Sequence, residues 1–501
     1  MNSFNSVEFE DAGKAYKDCG RRSGAPPLRM WHRRVAAALA AIVCVIAQPA
    51  NATHQASLAP KFQSARFLRV PLTGRRVRAI TTSSLFHTLF NDFRAEPDGT
   101  TYVQTGDIPA MWLRDSSAQS LPYIRFQAFY PKLRQRIGGV IERDARNILV
   151  DPYANAFLPD YRVWERKWEV GSLGYFVLLT WVYWTQTGDH SIFTRSVHDA
   201  LKRIVATYSC EQEHERCSHY SYPGRVGTEY NYAGGTGMIW GAFRPSDDAV
   251  VYRFNIPQQM FAVVSLRSLA ALARDGYRDY ALAGAAQGVG DEVAGGVETF
   301  GRYYDFHRGW VYVYETNAEG SVLLIDDANL PNLLGIPYFG YRNNTDPLYA
   351  RTRDFVLSPA NPYYHRGRYG SGLGSAHTPP GWVWPLGVIT RALTAENAQE
   401  ALESVTVLAE TDSETGLIHE SFYPDGYWRY TREEFGWANA LYAELLFRSL
   451  AGFTDTQFTP PQPFLNLEPQ STTPRLTTTG VQLENALRLV GALGSLLHQH
   501  G

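Results

Sequence analysis

"QQMFAVVSLRSLAALARD" (258–275) carries apolar residues at helical spacing, and Pro257 stands just before it, where a first helical turn tolerates a residue without an N–H. The same spacing recurs in "YFVLLTWVYWTQ" (175–186), in "PLGVITRALTAENAQEALESVTVLAE" (385–410), which opens on Pro385, and in "FGWANALYAELLFRSL" (435–450). Strand-like pieces such as "GWVYVYE" (309–315) are short and few. No repeat of fixed period shows by identity, but helix, long loop, helix recurs from about residue 80 to 452. The pattern predicts a large all-α array whose functional loops gather at one end.

The chain has 501 residues, 45% of them hydrophobic and 13% aromatic, enough for well-buried cores in water. Its 47 basic and 49 acidic side chains leave a net charge of −2 with no long Lys/Arg run, which argues against a nucleic-acid partner and for a neutral one. From Met30, "MWHRRVAAALAAIVCVIAQPANA" sets Arg33 and Arg34 before apolar residues 35–47 and ends in the small-x-small pattern Ala50-Asn51-Ala52. This predicts an export signal starting at Met30, to the periplasm or the exterior. The apolar run falls short of the roughly 20 residues of a spanning helix, so no stable membrane span is expected. Cleavage after residue 52 removes seven basic and four acidic groups and leaves a mature chain at −5. Residues 1–52 are read as extension and signal, 53–452 as the folded domain, and 453–501 as a Pro/Thr-rich linker followed by an amphipathic stretch (481–499) suited to docking. Cys210 and Cys217 survive cleavage; in an oxidising compartment they can close a small surface loop, and in a reducing one they stay apart. No oligomeric state is read from the sequence.

Five loops share one unusual mixture. They are "TGDIPAMWLRDSSAQ" (105–119), "WGAFRPSDDAVVYRFNIPQQM" (240–260), "LIDDANLPNLLGIPYFGY" (324–341), "GSAHTPPGWVWP" (374–385) and "GLIHESFYPDGYWRYTREEFGWANA" (416–440). Each sets carboxylates or His beside Trp or Tyr and next to Gly or Pro. A sugar ring offers rim hydroxyls to carboxylates, Arg, Asn and His, and a C–H face to aromatic rings. One such loop is explained by core aromatics and acidic helix caps; five in one chain point to a sugar pocket. Breaking a glycosidic bond then needs two carboxyl groups, one to protonate the leaving oxygen and one to activate water or attack. Asp247 and Asp248 are adjacent, an arrangement that can raise one carboxyl's pKa, and Glu420 follows His419 in a polar setting suited to a base.

The motifs "TGDIPAMWLRDSSAQ", "FRPSDDA", "DDANLPNLL", "HTPPGWVWP" and "HESF…FGWANALYAELL" closely resemble glycoside hydrolase family 125, exo-acting α-mannosidases that need no metal; the likeness runs from about residue 75 to 452. The resemblance implies an (α/α)6 barrel, release of non-reducing α-1,6-linked mannose from an oligosaccharide or N-glycan, inversion at the anomeric carbon, and no cofactor. Carried onto this chain it makes Asp247, chosen over Asp248, the general acid and Glu420 the general base. It implies sugar contacts from Asp107, Trp112, Arg114, Asp115, Glu169, Arg244, Asp248 and His377. The chain departs from the family pattern in "KWEVGSLGY" (167–175), where Gly171 replaces an acid and Gly174 a cysteine, so a carboxylate touching sugar is expected to be lost. Two other readings stand beside this one. A calcium-dependent α-mannosidase would use "IDDAN" or "PSDDA" as oxygen ligands, and a non-catalytic glycan-binding protein would keep the aromatics without needing both Asp247 and Glu420.

Overall fold

The computed structural model describes residues 74–127, 131–222 and 235–452; the stretch expected to be an export signal and the tail beyond 452 lie outside the described residues. Among them are thirteen α-helices: α1 (Gly74–His87), α2 (Leu113–Ser120), α3 (Pro131–Val150), α4 (Val170–Thr187), α5 (Arg195–Glu211), the single turn α6 (His214–Cys217), α7 (Ile256–Ala271), α8 (Tyr280–Phe300), α9 (Ile336–Phe339), α10 (Pro347–Val356), α11 (Pro385–Leu393), α12 (Ala398–Glu410) and α13 (Gly436–Gly452). Burial sorts them into two rings. Every residue of α2 and α9 is buried, as are all but one in α7 and α11, so these helices face protein all round. In α5, by contrast, Val197, Ala200, Leu201, Ile204, Val205 and Tyr208 form one buried stripe at helical spacing, while Lys202 and Arg203 lie in water.

The inner helices follow one another around the centre. α2 packs on α4, α4 on α7 and α7 on α9; α11 packs on α13, and α13 returns to α2. The amphipathic helices lie outside, α1 against α13, α3 against α4, α8 against α7 and α12 against α11. This is an all-α (α/α)6 barrel.

Caps start the helices where the sequence supplies oxygen acceptors. The Thr194 hydroxyl accepts from Val197 N–H, Asn255 from Gln258 and Asp279 from Leu282. The stretch 385–410, one periodic run in the sequence, is two helices: the Asn397 side chain accepts from Glu400 N–H and starts α12 afresh four residues after α11 ends. Pro257 and Pro385 occupy first-turn positions as expected.

Strands are short but more numerous than the sequence pattern predicts. They are β1 (Phe93–Ala95), β2 (Thr101–Val103), β3 (Met111–Trp112), β4 (Ala156–Phe157), β5 (Val163–Glu165), β6 (Phe254–Asn255), β7 (Arg302–Asp305), β8 (Gly309–Tyr312), β9 (Glu315–Thr316), β10 (Val322–Leu323), β11 (Tyr364–Gly367), β12 (Gly370–Leu373), β13 (Ser421–Tyr423) and β14 (Gly426–Thr431). All pairings are antiparallel. They tie loops together at the helix ends: β3-β4-β5 sets Trp112 opposite Ala156 and Ala156 opposite Glu165, while β10-β9-β6 sets Glu315 opposite Asn255. Cys210 and Cys217 form a disulfide joining the end of α5 to α6. No helix among the described residues is long and apolar enough to cross a membrane.

Candidate active site

One cavity of about 280 Å³ is lined from every inner helix's entry loop. Trp112, Arg114 and Asp115 come from the start of α2, Lys167 from the segment before α4, Pro245 to Asp247 from the loop ahead of α7, and Asn329 from the loop ahead of α9. His377 and Trp384 precede α11, and Glu420, Arg432 and Phe435 precede α13. The volume corresponds to about nine waters' worth of liquid, the scale of a single monosaccharide.

Arg114 is the hub of the charged wall. Its guanidinium donates to Glu169, stands 3.2 Å from Asp115 and 3.7 Å from Asp247, and lies 5.0 Å over the Trp437 ring. Burial works against its charge, but Glu169, Asp115 and Asp247 outweigh burial and push its pKa up. Asp115, wholly enclosed, is pushed up to about 6 by burial, with Arg114 pulling down and Asp247 pushing up. Trp112 Nε1 is buried without a hydrogen-bond partner, whereas Asp115 Oδ2 has only the Arg114 guanidinium at 3.2 Å. An unpaired buried polar atom costs about 1–3 kcal/mol, so the indole N–H stands ready for a ligand hydroxyl.

Asp247 sits on the cavity wall in the left-handed region, φ +66°, held there by a turn in which Asp247 N–H donates to Arg244 O and Arg244 N–H to Asp248 O. Asp tolerates this conformation better than most residues. The carboxyl that meets Asp247 is that of Glu169 rather than its neighbour Asp248. Asn155 Nδ2 donates to Asp247 at 2.8 Å and reaches Glu169 at 3.5 Å. The expected upward shift falls on Glu169, pushed well up by burial and by Asp247 against the pull of Arg114. Burial pushes Asp247 up too, but Arg114, the Glu169 hydrogen bond, Lys167 and His377 bring it down to about 2.

Across the cavity, Glu420 begins the β13–β14 hairpin, its N–H donating to Thr431 O at 3.3 Å. Arg432, φ +45°, stands 3.5 Å from Glu420 and donates to Asp107 at 2.6 and 2.8 Å. His419, stacked on Tyr430 at 3.9 Å, turns inward to backbone carbonyls and away from the cavity lining.

Of the sequence-derived positions, Asp247, Glu420, Trp112, Arg114, Asp115 and His377 line the cavity. Asp107 lies at its rim on Arg432; Asp248 accepts from Ser246 at 2.8 Å and stands 3.6 Å from His377. The Asp248 carboxylate beside it raises the His377 pKa, against the opposing effect of burial. Glu169 and Arg244 stand one layer back, Glu169 behind Arg114 and Arg244 on Glu315 at 2.6 Å. Gly171 itself is not part of the lining. Its N–H donates to Gln258, and a Cβ there would stand 3.2 Å from that side-chain oxygen and 3.3 Å from Pro331; at Gly174 the Phe261 ring fills the space.

Lys167, Asn329, Trp384, Arg432 and Phe435 also line the cavity and were not singled out from sequence, although each falls inside a motif quoted there. Their signal was membership of those motifs. The acidic pair of "IDDAN" is spent on the backbone and its neighbours: Asp326 accepts from Leu333 and Leu334 N–H, Asp327 from Asn329 and Ser375. Among the described residues His87, Asp92 and Glu434 have ligand atoms within 4.8 Å of one another; all three lie off the cavity lining, with His87 paired to Glu434 at 3.1 Å.

Comparison with known proteins bears on the family and the fold. A solved Streptococcus pneumoniae metal-independent α-mannosidase, in a non-productive complex with α-1,6-mannobiose, superposes with a TM-score of 0.73 at 32% identity, covering 85% of this chain and 98% of that one. A bacterial glucoamylase complexed with acarbose shares the fold at a TM-score of 0.52 and 13% identity, over 74% of this chain and 55% of that one. The meiotically up-regulated gene 157 protein of Schizosaccharomyces pombe is 34% identical over 388 residues, 69% of this chain and 76% of its own length. The profile described as metal-independent alpha-mannosidase (GH125) matches residues 75–162 and 159–447, and the chain belongs to that family.

Proposed function

We propose that this α-mannosidase is exo-acting, releases non-reducing terminal α-1,6-linked mannose from an oligosaccharide or N-glycan, and inverts the anomeric carbon. The observation that carries the reading is the placement of Asp247 and Glu420 on one cavity of monosaccharide scale, beside the unpaired Trp112 indole N–H. The α-1,6-mannobiose held by the Streptococcus pneumoniae relative supports the linkage. In this mechanism Glu420 takes a proton from a water attacking C1 while Asp247 gives one to the glycosidic oxygen as the C1–O bond breaks. Arg114, Asp115, Trp112 and His377 grip the terminal mannose, and Arg432 ties Glu420 to Asp107 at the rim. The domain of residues 53–452 does this work, and the protein acts outside the cytoplasm, a reading the Cys210–Cys217 disulfide supports.

The test is mannose release from α-1,6-mannobiose in EDTA, followed by NMR from the earliest time points. β-Mannose is expected first, and Asp247→Asn and Glu420→Gln are each expected to lower turnover about 10²- to 10⁴-fold with the fold intact. α-Mannose first would exclude inversion. Binding without release would turn the reading to a glycan-binding protein.

A further inference from the structure

We infer that Glu169 is the proton store of the general acid: it shares one proton with Asp247 across their direct contact, and acts as a positioning residue behind the cavity rather than on the sugar. The inference rests on the assignment of Asp247 above.

Glu169 is 1% exposed and off the cavity lining, so it meets the reaction only through its neighbours. Those neighbours are shared with Asp247. Arg114 bridges the two carboxyls, and Asn155 Nδ2 reaches both. Ser172 Oγ donates to Glu169 at 2.9 Å from the first turn of α4. The other charged groups around the pair are Asp115, Lys167 and His377, which act on Asp247, and Glu165, which accepts from the same Asn155 Nδ2 at 2.9 Å and pairs with Lys167 at 2.8 Å; Tyr175 lies behind Glu169. Two adjoining carboxylates, Glu169 buried and Asp247 opening on the cavity, cannot both ionise cheaply, because like charges in contact repel and the buried one is desolvated. Arg114 neutralises part of this, yet Asp115 also draws on it, so the pair keeps a proton. In the free enzyme that proton lies on Glu169, which burial favours, while Lys167 and His377 favour ionised Asp247.

The proton balance closes over one turnover. The Glu169 O–H bond breaks as its proton passes to an Asp247 oxygen, and Asp247 delivers it to the glycosidic oxygen, which takes the C1–O electron pair. Both carboxyls are then ionised until the proton that Glu420 removed from water returns to the pair. No oxidant, reductant or net proton is consumed.

The pH profile of kcat/KM tests this, with α-1,6-mannobiose and the activated 4-nitrophenyl α-mannoside compared. Glu169→Gln can still donate to Asp247 but holds no transferable proton. Its alkaline limb is expected to fall by at least about one pH unit, with at least about a tenfold greater loss on mannobiose than on the nitrophenyl substrate, which needs little protonation. Ser172→Ala removes a donor that favours ionised Glu169, and its limb is expected to move the other way, to higher pH. Infrared spectra of wild type are expected to hold a protonated-carboxyl band at neutral pH that Glu169→Gln lacks; this reading survives even if that variant is inactive. Limbs unmoved in both variants, equal losses on both substrates, or no such band would overturn the inference. Asp247→Asn separates the two readings: if it keeps wild-type turnover of mannobiose, the assignment of the acid fails; if it loses that turnover while the Glu169 and Ser172 limbs stay fixed, only the proton store fails.

Discussion

Asp115 shows how a binding site sets its own demands on stability. Its pKa of about 6 in the fold, against an ordinary aspartate value of about 4, means that folded protein keeps a proton the unfolded chain releases. The sign follows directly: the favourable contribution is present below about pH 4 and is lost as pH rises through 6, amounting to on the order of 3 kcal/mol at neutral pH. Asp115→Asn is therefore expected to raise Tm relative to wild type at pH 7 and to leave it nearly unchanged at pH 4, while KM for mannobiose rises. Melting curves at the two pH values with kinetics check it; a variant less stable than wild type only at pH 7 would contradict the sign. At this scale the sequence was partly legible. Trp112, Arg114, Asp115, Asp247, His377 and Glu420 stood out because charged and aromatic types are clustered beside Gly and Pro. The partnership of Asp247 with Glu169 was not visible, because the two lie far apart in the chain and adjacency in sequence drew attention to Asp248. Lys167 and Arg432 lie inside quoted motifs without standing out from them, and only the fold turns them onto the cavity.

Elements are placed by caps and staples that act locally, which makes their effects separable from chemistry. Asn397 caps the helix that restarts after Thr394–Glu396, with Glu400 accepting from Glu396 N–H, so Asn397→Ala is expected to cost about 1 kcal/mol, read as a lower denaturation midpoint, with kcat within twofold of wild type. Thr394–Asn397 holds neither Gly nor Pro, which is why hydrophobic period alone runs through the break between α11 and α12. The Cys210–Cys217 disulfide closes a loop of eight residues at the end of α5, where Glu211 O accepts from Trp240 N–H and the Glu211 carboxylate binds Tyr153 and His214. Loop-closure entropy for that length corresponds to about 2.5 kcal/mol. Cys210→Ser with Cys217→Ser is expected to lower Tm and leave KM unchanged, since neither cysteine lines the cavity. A shifted KM would mean that the loop reaches the site. Short strands such as β3, β4 and β9 escaped the sequence reading for a simple reason: two residues cannot display an alternating pattern, and their pairing is dictated by the loops they join.

At the scale of the whole molecule, periodicity made the all-α class legible, but a closed ring is a property of contacts that no single helix records. Closure rests on α13, the last helix described, packing back on α2, the first inner one. Its entry segment also supplies Arg432 and Phe435 to the cavity, and Arg432 clasps Asp107 from the loop ahead of α2. The same contact thus completes the core and the site. Ending the chain at Gly452 is expected to keep the ring, the melting transition and mannose release. Ending it at Glu434 would remove α13, expose the apolar faces of α2 and α11 that it covers, and leave Trp437 missing from under Arg114. That shorter chain is expected to lose its cooperative transition, aggregate and release no mannose. Calorimetry and sugar release on the two truncations check this, and a chain ending at 434 that melts cooperatively would show that the ring does not need its last helix to stand.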